Sequence, residues 1–260
     1  MNFSGSHILS IDQFDRGDVE TIFNVADKMA PFAKRDSITK VLDGAILGSM
    51  FFEPSTRTRI SFGSAFNLLG GSVRETTGFE HSAIAKGESL YDTARVLSGY
   101  SDVIVMRHPE NGSVLEFSKA SRVPVLNGGD GTNEHPSQAL LDLYTIKNEL
   151  AFRGRNIDQL RIAMVGDLKF GRTVHSLSQA LDKFNNELHF ISPSTLKMPK
   201  SVLSDLQGEW FEHEIFEEIL PNLDVLYVTR IQRERFPDPE DYRKVAGAYQ
   251  ITLDVLKYAK

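Results

Sequence analysis

The chain has 260 residues, of which 41% are hydrophobic and 25% charged, and this composition is typical of a folded globular protein. Its formal net charge of -6 disfavours a nucleic-acid or anionic-membrane partner, because both require a broad basic surface. The lack of cysteine excludes disulfides, thiolate catalysis and cysteine-ligated zinc within the chain. No apolar run has the length of a signal-peptide core or a membrane span, so we predict a cytoplasmic protein.

Short apolar runs alternate along the chain with segments of helical periodicity, which is typical of parallel sheets with crossover helices. The predicted strands share this apolar character and occupy residues 45–52, 102–106, 123–126, 161–167, 187–192 and 224–229. Several of them are continuous enough to be buried on both faces of a sheet. The pattern therefore predicts an α/β protein with two domains, each a parallel sheet flanked by helices.

The predicted helices lie between these strands, where apolar residues recur at intervals of three and four positions. Their apolar positions are Phe62, Phe66 and Leu69; Leu90, Ala94 and Leu97; Ala139, Leu143, Ile146 and Leu150; and Val174, Leu177, Leu181 and Phe184. The first helix should stop at the Gly70-Gly71 pair, and Pro136 suits the first turn of the third. We predict a first domain over residues 1–134, an interdomain helix over 135–150 and a second domain over 151–260.

The stretch FFEPSTRTR leads from the first predicted strand into a predicted helix. Such a junction offers unpaired backbone N–H groups and the positive end of a helix dipole, which favour an anion. Ser55, Thr56 and Thr58 add hydroxyl donors, and Arg57 adds a guanidinium. The stretch alone leaves two interpretations open, a phosphate site and an ordinary Ser/Thr helix cap beside solvated arginines. A P-loop is excluded, because GxxxxGK[ST] is missing.

Two further motifs place polar groups where predicted elements meet. In VIVMRHP, Arg107 follows a strand and should project at the carboxyl edge of the sheet, where parallel sheets bind ligands. In NEHPSQALLDLYTI, His135 and Gln138 can face one point at a helix start, where an imidazole or an amide polarises a carbonyl oxygen. The alternatives are a solvated arginine that ends a strand and a structural histidine.

The second half of the sequence offers groups that suit a carboxylate ligand. The segment MVGDLKFGRTVHS contains Arg172 and lacks the GxGxxG pattern of nicotinamide-binding proteins. In VTRIQRER, Arg230 and Gln232 stand two residues apart beyond a strand and can hold one carboxylate together. In the first half of the sequence, HSAIAKGES, with Ser82 and Lys86, by itself indicates a solvated polar loop.

Together, the Arg, Lys, His and hydroxyl groups of these motifs favour catalysis by positioning and electrostatics, without a covalent intermediate.

Taken in order, these motifs resemble the catalytic chains of the aspartate carbamoyltransferase family. The motifs are FFEPSTRTRISF, KGES, VIVMRHP, NEHPSQALLDLYTI, MVGDLKFGRTVHS and VTRIQRERF, and the similarity runs from about residue 40 to about residue 236. STRTR and HPxQ also suit the ornithine branch of the superfamily, whereas GDLKFGRTVHS and TRIQRER favour the aspartate branch. The resemblance implies an enzyme of pyrimidine biosynthesis that converts carbamoyl phosphate and L-aspartate into N-carbamoyl-L-aspartate and phosphate. It implies no cofactor and no metal.

The resemblance also implies a role for each candidate residue. The implied catalytic residues are Arg57, Thr58, Arg107 and His135. The implied carbamoyl phosphate contacts are Ser55, Thr56, Arg57, Thr58, Arg107, His135 and Gln138. Arg172 would bind the α-carboxylate of aspartate, and Arg230 with Gln232 its side-chain carboxylate. Ser82 and Lys86 would enter the active site of a neighbouring subunit in a homotrimer, and in this family a separate regulatory chain can bind the trimers.

The sequence departs from the family pattern at two places. Family members continue beyond a segment like ITLDVLKYAK into a strand, an HPLPR-type loop and closing helices, so we expect a second domain that is incomplete at its C-terminus. Phe170 stands where the family often has tyrosine. Two alternative functions stay open: a non-catalytic subunit that binds carbamoyl phosphate or serves assembly, and a carbamoyltransferase for another amino acid.

Overall fold

The computed structural model describes residues 1–78, 83–215, 217, 219–233, 236 and 238–259. The chain divides into two compact units, Met1–Ser137 and Gln138–Lys260. Each unit contains a four-stranded sheet in which the strand pairs are parallel. The predicted fold, α/β with two parallel sheets flanked by helices, is therefore confirmed, while the exact domain boundaries and the interdomain role of the helix over 135–150 stay predictions.

The first unit contains a sheet with the strand order β2-β1-β3-β4. Its strands are β1 (Ile46–Phe51), β2 (Ser72–Thr77), β3 (Val103–His108) and β4 (Val125–Asp130). Its helices are α1 (Arg16–Ala33), α2 (Arg57–Leu68), α3 (Leu90–Leu97) and α4 (Ser113–Ala120). Helices α2 and α3 occur where the apolar spacing predicts them.

Side chains of the first sheet alternate between two apolar layers, as the pleat of a strand requires. On one face, Leu47, Phe51 and Val105 pack against Phe62 and Phe66 of α2. On the other face, the packed residues come from strands β1, β3 and β4 and from α3 and α4: Met50, Ala94, Ile104, Met106, Val114, Phe117, Ala120 and Val125. The centre of β3 is thus buried from both sides, which confirms the expectation for a continuous apolar run.

Helix α2 ends where its sequence predicts. The backbone N–H of Gly70 donates to the carbonyl of Asn67, and that of Gly71 donates to the carbonyl of Phe66, at 3.0 Å each. A Cβ at Gly71 would lie 2.2 Å from the ring of Phe66, so any larger residue there would force this ring to move.

The second unit contains a sheet with the strand order β7-β6-β5-β8. Its strands are β5 (Arg161–Val165), β6 (Glu187–Ile191), β7 (Trp210–His213) and β8 (Val225–Val228). Helix α5 (Pro136–Ala151) runs into this unit. The later helices are α6 (Arg172–Asp182), α7 (Lys200–Asp205), α8 (Pro239–Val245) and α9 (Leu253–Leu256).

The core of the second unit is built on strand β5, whose residues from Ile162 to Val165 are fully buried. One apolar cluster joins Ala163 and Val165 to Ile191, Leu220 and Leu223. Partly buried side chains near the end of the sequence, Tyr249, Ile251 and Val255, pack against the same cluster. The segment 249–255 therefore belongs to the fold of this unit.

Two strands, β2 and β7, were not predicted, and the bounds of β4 were predicted wrongly. Both missed strands lie at sheet edges and expose most of their side chains, so they carry no apolar run. Strand β4 starts two residues later than 123 and continues through Asp130, because the buried sequence NGGD pairs with β3 although its composition is typical of a turn.

Among the described residues, no helix combines the length and the apolar character that a membrane crossing needs.

Gly166, which follows β5, allows a test of how closely the ends of two strands approach. Its φ is +119°, and an added Cβ would lie 2.2 Å from the carbonyl oxygen of Thr229 beyond β8. We expect Gly166→Ala to lower the free energy of unfolding by about 3 kcal/mol or more, because steric overlap adds to backbone strain. The matched control is Gly154→Ala, where φ is +67° and the space is open, with an expected loss of about 1 kcal/mol. Urea unfolding measures both, and equal losses would contradict the proposed overlap.

Candidate functional site

Strand order reverses once in each sheet, and the candidate residues lie beside these two points. In the first sheet β1 has β2 on one side and β3 on the other, and in the second sheet β5 lies between β6 and β8. Successive connections then leave in opposite directions, which opens a crevice at the carboxyl ends of the two strands that flank the reversal. Parallel α/β sheets bind ligands in such crevices.

Helix α2 begins at Arg57, after residues 52–56 that connect it to the end of β1, and its N-terminus is open to an anion. Its N-cap residue Thr56 has φ −81° and ψ −55° and makes no side-chain cap hydrogen bond in the described part of the chain. The first N–H groups of a helix have no partner within the helix, so they attract an anion together with the helix dipole. This geometry favours the phosphate interpretation of STRTR over the cap interpretation.

A cavity of about 290 Å³ lies at the same edge of the first sheet. Its polar lining includes Glu53, Ser55, Thr56 and Arg59, and Thr77 at the end of β2 contributes as well. The predicted residues Ser55 and Thr56 therefore line a cavity. Arg59 was not among the predicted site residues, and it also hydrogen-bonds to Glu75 at 3.4 Å.

The other two residues of the STRTR prediction occupy the first turn of α2. Arg57 is exposed and Thr58 is half-buried, and neither is part of the cavity lining. An exposed guanidinium at the first helical position can fold over an anion that is bound to the N–H groups below it. Of the four STRTR residues predicted to bind phosphate, Ser55 and Thr56 therefore line the cavity, and Arg57 and Thr58 follow them in the chain.

Arg107 lies in β3, opposite Phe51 of β1, and is held by contacts within the first unit. Its Nε donates to Oε2 of Glu53 at 3.1 Å, and its Nη1 donates to the carbonyl oxygen of Gly128 at 3.4 Å. Only 13% of its side chain is exposed. The solvated-arginine alternative is therefore wrong. Because Glu53 also lines the cavity, an anion that reaches Arg107 competes with this carboxylate.

His135 and Gln138 lie at the start of α5, where the sequence predicts them. His135 is 5% exposed, and its Nδ1 lies 3.3 Å from the Ser137 hydroxyl. The amide Nε2 of Gln138 donates to Oδ1 of Asp142, one turn later, at 2.9 Å. His135 belongs to the first compact unit and Gln138 opens the second. Asp142 was not among the predicted site residues.

The residues predicted to bind a carboxylate lie in the second unit after β5 and β8, the two strands beside the point where the strand order reverses. Arg172 is the first residue of α6 and is buried, whereas Arg230 beyond β8 is exposed and Gln232 is half-buried. Asp167 joins the two loops: its carboxylate accepts from the backbone N–H of Phe170 at 2.9 Å and from that of Gln232. Burial raises the pKa of Asp167, and these hydrogen bonds act in the opposite direction.

The other residues that the sequence singles out are Ser82, Lys86 and Phe170. Lys86 is exposed at the end of the 3₁₀ segment Ala83–Lys86, and Ser82 lies outside the described residues. The ring of Phe170 packs edge-on against Phe236 at 6.0 Å. Within the described ranges, no group of three or more His, Asp and Glu side chains could hold a metal ion.

Basic side chains at the reversal points of two parallel sheets define a class of α/β proteins that bind anionic ligands. Two family models match the sequence. The carbamoyl-P binding domain of aspartate/ornithine carbamoyltransferase matches residues 6–148, and the Asp/Orn binding domain of the same family matches residues 158–260. The chain therefore belongs to the aspartate/ornithine carbamoyltransferase family.

Similar proteins carry the name of the aspartate branch. The aspartate carbamoyltransferase catalytic subunit of Saccharophagus degradans is 62% identical over 255 residues, covering 96% of this chain and 76% of that relative. The catalytic subunit of M. jannaschii aspartate transcarbamoylase aligns with a TM-score of 0.86 at 47% identity, over 97% of this chain and 82% of that one. The Trypanosoma cruzi enzyme in complex with carbamoyl phosphate and aspartate aligns with a TM-score of 0.90 at 38% identity, over 98% and 83%.

The open N-terminus of α2 allows a binding test with inorganic phosphate. We expect Arg57→Ala to weaken phosphate binding about tenfold or more, because a charge-assisted hydrogen bond is lost. Isothermal titration calorimetry measures the dissociation constant. The matched control is Arg74→Ala, which removes the same charge from an exposed position on β2 and should change affinity less than about twofold. Equal losses in the two variants would show that net charge, rather than a site at α2, attracts phosphate.

Proposed function

We infer that the protein transfers the carbamoyl group of carbamoyl phosphate to the amine of L-aspartate, giving N-carbamoyl-L-aspartate and phosphate. The observation that carries this conclusion is the match of both halves of the chain to the two domains of one carbamoyltransferase family. Similar proteins over nearly the whole chain bear the name of the aspartate enzyme, and the product belongs to pyrimidine biosynthesis.

The proposed carbamoyl phosphate site lies at the carboxyl ends of β1 and β3. Ser55, Thr56 and the first N–H groups of α2 bind the phosphate, and Arg57 and Thr58 approach it from the rim. Arg107 contributes a second guanidinium when the phosphate replaces Glu53 as its partner. The uncapped helix start and the cavity beside it support these roles.

The carbamoyl group itself is assigned to the start of α5. His135 donates to the carbonyl oxygen, and Gln138 contacts the amino group. The burial of His135 supports a fixed position for its ring, which a preorganised donor requires.

The proposed aspartate site lies at the carboxyl ends of β5 and β8. Arg172 binds the α-carboxylate, while Arg230 and Gln232 bind the side-chain carboxylate by guanidinium and amide. The connection of the two loops through Asp167 supports this assignment, because it fixes the backbone beside Arg172 and at Gln232.

In the proposed mechanism, the aspartate amine attacks the carbamoyl carbon directly. The C–N bond forms, the bond from carbon to the phosphate oxygen breaks, and the departing phosphate accepts the amine proton. Arg57, Thr58 and His135 stabilise the oxyanion, and Arg57 also stabilises the departing phosphate. Such donors increase the rate because they are already oriented when the charge develops.

We propose a cytoplasmic homotrimer in which Ser82 and Lys86 enter the active site of a neighbouring subunit; a regulatory chain that binds such trimers stays a prediction. The exposure of Lys86 is compatible with a contact to another subunit. Mixing Lys86→Ala chains with Arg57→Ala chains tests shared sites, because some sites of a mixed trimer would contain neither substitution and regain activity.

An assay of carbamoyl-aspartate formation tests the proposed reaction. We expect turnover with L-aspartate in the wild-type chain and a loss of about 10²- to 10³-fold in Arg57→Ala, the usual effect of removing one preorganised donor. Thermal unfolding should be nearly unchanged, because Arg57 is exposed. A variant that retains more than about a tenth of wild-type turnover would contradict the role of Arg57.

The same assay, combined with calorimetry, separates the alternative functions. A non-catalytic subunit would bind carbamoyl phosphate or phosphate in calorimetry and show no turnover with aspartate. A carbamoyltransferase for another amino acid would turn over with ornithine or N-acetylornithine in place of aspartate.

The segment after β8 provides a matched pair of arginines for the aspartate site. We expect Arg230→Ala to raise the KM for aspartate about tenfold or more, because a carboxylate loses a charged partner, and to leave carbamoyl phosphate affinity within about twofold. Arg233→Ala removes an equal charge three residues later and should change neither constant appreciably. Steady-state kinetics with each substrate varied measures both effects. Similar KM increases in the two variants would refute a specific contact at Arg230.

A further inference from the structure

A chain of hydrogen bonds within the second unit joins the start of α5 to strand β8. Nε2 of Gln138 donates to Oδ1 of Asp142 at 2.9 Å, and the hydroxyl of Tyr227 donates to Oδ2 of Asp142 at 2.9 Å. Gln138 and Asp142 are one turn apart on α5, so their side chains lie on the same face of the helix. The half-buried carboxylate of Asp142 thus has one donor on each oxygen.

The charge of Asp142 determines how the amide of Gln138 is oriented. An ionised carboxylate only accepts hydrogen bonds, so the amide nitrogen of Gln138 must face it and the amide oxygen must point away. Without the carboxylate, the amide could rotate by half a turn and present its nitrogen instead. Asp142 therefore selects which end of the Gln138 amide is available to a ligand.

Tyr227 stabilises the carboxylate in this arrangement. Burial and the charge of Asp142 both raise the pKa of the Tyr227 phenol, so its hydroxyl stays protonated and donates. Burial raises the pKa of Asp142, while the hydrogen bonds from Tyr227 and Gln138 lower it. The Tyr227 hydroxyl also hydrogen-bonds to Thr173, the residue after Arg172 on α6. Tyr227 of β8 thereby connects the Asp142 carboxylate of α5 to helix α6.

We propose that Asp142 is a positioning residue that makes the enzyme select a carbamoyl group over an acyl group of the same shape. The amino group of carbamoyl phosphate donates hydrogen bonds, and the fixed oxygen of Gln138 accepts one. Acetyl phosphate has a methyl group at that place and leaves the oxygen without a partner. This inference rests on the proposed function, in which Gln138 contacts the carbamoyl group.

A pair of ligands tests the inference, because carbamoyl phosphate and acetyl phosphate share the phosphate and the carbonyl. Calorimetry gives the ratio of their dissociation constants for wild type and for Asp142→Asn, a change that preserves size and removes the charge. We expect the variant to lose about tenfold in carbamoyl phosphate affinity and less than about twofold in acetyl phosphate affinity. A purely structural role for Asp142 would lower both affinities equally, and that result would overturn the inference.

A double-mutant cycle shows whether Asp142 acts through Gln138. In the Gln138→Ala background, Asp142→Asn should cause no further loss of carbamoyl phosphate affinity. Additive losses would overturn the inference. Tyr227→Phe keeps the contact between Gln138 and Asp142, so it should lower the midpoint of thermal unfolding without changing the ligand ratio by more than about twofold; a change as large as that of Asp142→Asn would also count against the inference.

The two proposals can fail separately. If the chain binds both ligands with the expected ratio but forms no carbamoyl-aspartate, the proposed reaction fails and the role of Asp142 stands. If turnover with aspartate is observed and the ratio is the same in wild type and Asp142→Asn, the reaction stands and the role of Asp142 fails. If the wild-type chain does not prefer carbamoyl phosphate, the role of Asp142 fails whether or not turnover is observed.

Discussion

Parallel pairing of strands is the constraint on which the candidate sites depend. A parallel strand must be followed by a crossover, so every strand of a sheet ends at the same edge. In the first sheet β2 and β3 take opposite sides of β1, and in the second sheet β6 and β8 take opposite sides of β5. The loops after β1 and β3 therefore diverge, as do those after β5 and β8, and they leave room for ligands between backbones that the sheets hold rigidly.

The two sheets use this common geometry with different chemistry. After β1, residues 52–56 lead into α2, and no side-chain cap bond at Thr56 occupies the helix start in the described chain, so backbone N–H groups remain for an anion. After β5 the buried carboxylate of Asp167 accepts from the backbone of Phe170 and Gln232. The backbone N–H groups of Phe170 and Gln232 thus already have an acceptor, so under the proposed function an anion is bound by guanidinium groups such as Arg172 and Arg230.

Much of this arrangement could be predicted from the sequence, because interior strands and amphipathic helices have strong periodic patterns. The apolar runs VIVM in β3 and IAMV in β5 were predicted as strands, whereas the exposed edge strands β2 and β7 have no such pattern. The basic and hydroxyl groups could be predicted as site residues because they lie in or shortly after predicted strands, and their roles stay predictions. The carboxylates that hold them were missed: Glu53 and Asp167 stand inside the quoted motifs, but only the fold brings Glu53 within 3.1 Å of Arg107.

Under the proposed function, Glu53 also affects which anions bind at Arg107. Arg107 already has a carboxylate partner in Glu53, and both side chains are largely shielded from water. A ligand with a single negative charge would exchange the ion pair between Glu53 and Arg107 for another ion pair of the same kind, so it gains little. Under the proposed function, a phosphate group with two charges and several acceptor oxygens binds Arg107 and the N–H groups of α2 at once. Competition from Glu53 therefore lowers the affinity of Arg107 for anions. Under the proposed function, this competition favours the phosphate end of the substrate over simple carboxylates.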